Sequence, residues 1–183
     1  MSIRENLVQI YQQIVQSAEK QTNEPPRVFF DEQWPSPCEI EGTVNQQSVA
    51  WQQISQNGNM KALADALEVQ FPESLIEYFG SFYSDNLVAK YDDHHVCLLQ
   101  AWSEEDFDRL LQNITGHVLM KRRLKQADTV FFATTEEEDL LIVMKISDGS
   151  IWLEYLGKEP HHQLANTMDA FLTECRGEYF IAG

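Results

Sequence analysis

The chain has 183 residues, 43% apolar and 11% aromatic, with 29 Asp and Glu against 13 Lys and Arg and a formal net charge of −16. This is the make-up of one folded domain with a real core rather than of a disordered acidic tail. Its field repels phosphate backbones and anionic headgroups, which argues against nucleic acid and direct lipid insertion and favours a basic protein surface as partner.

The opening MSIRENLVQIYQQI places charge and amides inside its apolar spacing, so neither a signal peptide nor a spanning segment is expected. Ile3, Leu7, Ile10, Tyr11, Ile14, Val15 and Ala18 recur at helical spacing and predict an N-terminal helix within residues 1–20, ended before Pro25 and Pro26. FFDEQWPSPCEI (29–40) has no period and reads as a structured loop, followed by a short strand in SVAWQQI (48–54). KALADALEVQF (61–71) and PESLIEYFGSFY (72–83) predict two helices, the second with Pro72 in its first turn. NLVAKY (86–91) and VCLLQAW (96–102) read as strands joined by the acidic turn DDHH.

Ser103 and Asp106 have the spacing of a helix N-cap box, flanked by Trp102 and Phe107 at the spacing of a hydrophobic staple. The helix that follows carries Phe107, Leu110, Leu111, Ile114 and Val118 on one face and could run through KRRLK (121–125), with Gly116 as its weak point. Acids in its first turn and bases in its last complement the helix dipole. TVFFATT (129–135) and LLIVMKI (140–146) then flank a second acidic turn, EEED, and SIWLEYL (150–156) follows an SDG turn. Leu164, Met168, Phe171 and Leu172 predict a C-terminal helix over 163–176. The order indicates an α+β fold, a single domain over 1–183 with a mostly antiparallel central sheet packed by helices.

Chemistry is thinly supported. No GxGxxG or GxxxxGK[ST] loop and no GxSxG elbow occurs. The His94–His95 and His161–His162 pairs lack a spacing that converges on one ion, so no metal is expected, and no cofactor. Carboxylates are so numerous that a chance acid pair carries no weight as a glycosidase signal. Cys38, Cys97 and Cys175 form no pattern and fit buried thiols in a reducing compartment. Charge is uneven, however: residues 62–108 hold eleven acids and one base, Lys90. Gathered on one side, such charge steers basic partners.

WPSPCEI (34–40), LLQAWSEEDFDRLLQNITGHVLMKRRLK (98–125) and FFATTEEEDL (131–140) resemble the signature blocks of the SecY-interacting protein Syd family, and the order of elements agrees over nearly the whole chain. The resemblance implies an α+β fold of the SMI1/KNR4-like superfamily and a non-enzymatic protein of the bacterial cytoplasm. It further implies peripheral association with the cytoplasmic face of the inner membrane. The partner would be the basic cytosolic loops of the channel SecY, bound in an acidic concave groove to monitor or negatively regulate improperly assembled SecY. A rival within the superfamily is an immunity-type module that neutralises a basic toxin domain. Glu104, Glu105 and Asp106 match the block at the helix start, and Glu136, Glu137 and Glu138 match the acidic turn after the ATT strand. Trp34, Pro35, Ser36 and Pro37 match the PSPC block, taken as a shape-setting loop. Asp92 and Asp93 join the candidate surface on charge alone. Oligomeric state is open, with a monomer the working expectation.

Overall fold

The computed structural model describes residues 1–181 and is α+β, with five helices and a curled antiparallel sheet. Helix α1 (Ile3–Thr22) opens on a full capping box between Ser2 and Glu5 and buries Ile3, Leu7, Ile10, Ile14 and Ala18. Strand β1 (Arg27–Phe29) pairs with β2 (Ser48–Ala50), and β3 (Ile54–Ser55) precedes α2 (Lys61–Leu67) and α3 (Glu73–Gly80). Next come β4 (Phe82–Tyr83), which pairs with β3, then the hairpin of β5 (Leu87–Tyr91) and β6 (His94–Leu98) and the long helix α4 (Glu104–Arg123). The chain continues through β7 (Thr129–Thr135), β8 (Leu140–Lys145), β9 (Ile151–Tyr155), β10 (His162–Ala165), α5 (Met168–Glu174) and β11 (Arg176–Gly177). The main sheet runs β10-β9-β8-β7-β6-β5-β11, each pair antiparallel.

One face of this sheet (Leu87, Ala89, Val96, Leu98, Ile142, Met144 and Ile151) joins α1, α3 and α5 in a single apolar core. Tyr78 stands fully buried there, edge-on to Phe132, with its hydroxyl donating to the Phe132 carbonyl at 3.0 Å. Helix α4 covers the opposite face, and Gly116 does not interrupt it.

Several boundaries differ from the expectations for physical reasons. Residues 163–176 are not one helix: 162–165 pair with β9 as β10, α5 starts only at its Thr167 cap, and Arg176 and Gly177 form β11 against β5. The predicted helix 61–71 stops at Leu67 because Glu68 turns left-handed (φ 55°), its N–H reaching Ala64 O and Asp65 O. Helix 72–83 ends at Gly80, where Phe82 and Tyr83 leave to pair with β3. A Cβ on Gly80 would lie 2.3 Å from Gly58 O, so this crossing of two backbones requires glycine. The turn between β5 and β6 is Asp92–Asp93 alone, with His94 and His95 already in β6. Residues 99–102 leave the sheet to feed α4.

Candidate functional site

The cap of α4 shows how the sequence sets the local geometry. Ser103 Oγ accepts the Asp106 N–H at 3.2 Å, but the Asp106 carboxylate reaches one residue beyond the cap and accepts from Trp102 N at 2.8 Å. Asp106 also pairs with Arg109 at 2.7 Å, and the Arg109 guanidinium lies 5.0 Å over the Trp34 ring. Ser36 donates to the Trp102 carbonyl, and Cys38 N donates back to Ser36 Oγ at 3.0 Å, which fastens the WPSPC loop to the helix start. Pro35 and Pro37 then stand beside Glu104, Glu105, Asp108 and Tyr83 around an open depression of about 510 Å³.

A second depression, of about 530 Å³, opens at the ends of the two acidic hairpins. Its floor is apolar (Val96, Leu140, Ile142, Leu153, Leu164), and Asp92, Glu136 and Glu137 stand around it with His94 and His162. Glu137 accepts from the Tyr155 hydroxyl at 2.5 Å. Asp93 and Glu138 are exposed on the same two turns, and neither lines this depression.

Between the two lies an aromatic cleft of about 470 Å³. Trp34, Trp51, Trp102, Phe29, Tyr179 and Phe180 line it together with Asp85, Glu178 and Arg27. Trp51 and Trp102 meet edge to face, with ring centroids 6.4 Å apart. Burial in this wall pushes the Asp85 carboxyl up to about 6, with the nearby Asp106 charge adding to it. His95 links the cleft to the hairpin depression: Nδ1 is 3.1 Å from Glu136 and Nε2 is 3.1 Å from Glu178. Hydrogen bonds to these carboxylates, Glu136 foremost, raise the His95 pKa above its ordinary value. Trp34, next to Pro35, links the cleft to the depression at the proline loop.

The acids named from sequence therefore divide. Asp92, Glu136 and Glu137 come together; Glu104 and Glu105 gather separately with the proline loop; Asp93 and Glu138 line none of the three depressions. Asp85, Glu178 and Trp51 were not singled out from sequence. No periodic or cap signal marks them, since the contacts that unite them join segments far apart in the chain. Among the described residues no three His, Cys, Asp or Glu side chains are placed to hold a metal ion. Burial raises the thiols of Cys38 and Cys175 to about 11 and 12, leaving them protonated and poorly nucleophilic.

The chain matches the family described as "Syd protein (SUKH-2)" over residues 4–177. It is 47% identical over 175 residues to the Protein Syd of Pseudoalteromonas translucida (strain TAC 125), covering 94% of this chain and 97% of that one. It is 43% identical over 151 residues to the Protein Syd of Idiomarina loihiensis, covering 80% and 81%. Against the Protein Syd of Yersinia enterocolitica the identity is 36% over 160 residues, covering 86% of each chain.

Proposed function

The chain belongs to the Syd family, and on that premise we propose that it is a non-enzymatic acidic binding protein. Its partner is the basic cytosolic loops of SecY, and binding monitors or negatively regulates SecY that is improperly assembled. The observation that carries this is the placing of acids from turns, a helix start and the C-terminal segment (Asp85, Asp92, Glu104 with Glu105, Glu136 with Glu137, and Glu178) around three open depressions, two of them linked through His95. Carboxylates on turns and a helix start attract a basic loop from solution, and the apolar floors beneath them give it area to bury.

The protein works at the cytoplasmic face of the inner membrane through its partner; among the described residues no helix is long and apolar enough to cross a membrane. The decisive experiment is co-purification with SecY from membranes, with and without SecY's usual partner subunit, over a range of salt. Capture should rise when the subunit is missing and fall steeply with salt, because exposed charges are screened over about 8–10 Å. Capture that ignores both variables would refute the proposal.

A further inference from the structure

We propose that the aromatic cleft is an anchor pocket for one arginine side chain of a basic partner loop, with Asp85 receiving its guanidinium between Trp34 and Trp102. The identity of the partner rests on the SecY reading above; the chemistry of the pocket does not.

Three indoles from three separate segments line one cleft with the carboxylates of Asp85 and Glu178, and of these two Glu178 already faces His95. Among the described residues no Lys, Arg or His pairs with Asp85 within ion-pair distance, and no side chain donates to it. The one cation lining the cleft is engaged elsewhere: Arg27 Nε donates to Ser48 Oγ at 2.9 Å, its Nη2 to the Thr43 and Ser48 carbonyls, and Glu24 lies 3.8 Å from Nη1. The Asn86 backbone N–H is the hydrogen-bond donor to Asp85, so the carboxylate has no counter-charge; a half-buried carboxylate without one is costly, and an incoming cation relieves that cost.

Arginine fits better than the alternatives. Its flat guanidinium stacks on an indole while its donor fork meets a carboxylate, which the compact ammonium of lysine cannot do in one pose. The chain already makes this arrangement once, on a tryptophan of the cleft itself, where Arg109 lies over Trp34 and pairs with Asp106. A neutral apolar guest would desolvate Asp85 further, and a second copy of a chain of charge −16 would be repelled. Phe29, 69% exposed, and Phe180, 52% exposed, flank the entrance and supply apolar contact for the stem of the entering side chain.

The test titrates the full chain, by tryptophan fluorescence, with a synthetic peptide of a basic SecY cytosolic loop. The same peptide with every Arg replaced by Lys, or by neutral citrulline, and an unrelated arginine-containing peptide complete the set. The arginine peptide should bind several-fold more tightly than the lysine form and at least about tenfold more tightly than the citrulline form. Asp85→Asn and Trp34→Leu should each weaken the arginine peptide about tenfold, while Glu68→Gln, remote on the α2 terminus, should stay within about twofold. Thermal melts establish that the variants are folded. If the SecY peptide binds wild type and Asp85→Asn equally, the anchor is refuted and the SecY reading stands. If only the unrelated arginine peptide binds, and does so through Asp85, the anchor stands and the SecY reading falls. If no peptide distinguishes arginine from lysine, the anchor is refuted.

Discussion

Lys121 Nζ lies 3.1 Å from Glu154 Oε2, and neither side chain is exposed to solvent. The pair sits between α4 and the sheet, within a small network of buried hydrogen bonds. Lys121 also donates to the Lys158 carbonyl at 2.6 Å, Thr129 donates to the Glu154 carboxylate, and His117 Nε2 lies 3.1 Å from Thr129 Oγ1. Such a pair is a weak source of net stability, but removing one member strands the other. Glu154→Ala should cost about 3–5 kcal/mol in urea denaturation. The double change Lys121→Met, Glu154→Leu should cost clearly less than the sum of the two single changes, a coupling that a double-mutant cycle reads directly.

Two glycines should respond in opposite directions. A Cβ on Gly177 would lie 2.2 Å from the Ile10 carbonyl oxygen, so Gly177→Ala must separate β11 from α1 and should cost about 2 kcal/mol or more. Gly116, inside α4, has open space where a Cβ would stand, so Gly116→Ala should stabilise by about 0.5–1 kcal/mol. Paired thermal melts would check both.

Asp85 should give an unusual pH profile. Its folded pKa of about 6 lies above the unfolded value, so between about pH 4 and 6 the native state holds the extra proton, and this group's contribution to stability falls as pH rises. That is the reverse of the usual paired carboxylate. Asp85→Asn should therefore be more stable than the parent at pH 7.5 by about 1–2 kcal/mol and gain little at pH 4. Urea midpoints at the two pH values test this.

His95 shares the sign of the Asp85 linkage but acts in a higher pH window. Its folded pKa is raised by Glu136 and Glu178, so its contribution is present at acid pH and is lost as pH rises through the folded value. Nuclear magnetic resonance titration should show Glu136→Gln lowering the His95 pKa, and Glu138→Gln, on an exposed turn residue outside the contact, leaving it unchanged.

The Ser103 cap is a local element. Ser103→Ala removes the acceptor for the Asp106 N–H and should destabilise by about 0.5–2 kcal/mol in thermal melts, with peptide binding at Asp85 retained in the folded fraction.

Elements that carry their own local signal were legible in the sequence. The spacing of Ile3, Leu7, Ile10 and Ile14 marked α1, Ser103 marked the start of α4, and the two acidic turns marked the hairpins. Lys121 lies in the run KRRLK, whose charge suggests an exposed basic helix end, yet it continues the apolar face seven residues after Ile114 and is buried there. Its partner Glu154 lies in another strand, and a pairing of this kind has no local signature. Strand β11 was hidden for the same reason: two residues become a strand only because the edge of β5 and the backbone of α1 are both waiting for them. The aromatic cleft is wholly tertiary, so its tryptophans could be counted but not assembled.

The placement of β11 sets an order of events for the molecule. Gly177 N donates to Gln13 Oε1 across 164 residues, and Glu178 and Tyr179, which follow at once, complete the cleft beside indoles translated much earlier. Closing so long a loop is slow compared with forming a helix or hairpin. Until that closure the three tryptophans have no enclosing wall, and an incompletely folded copy presents no finished cleft to a partner.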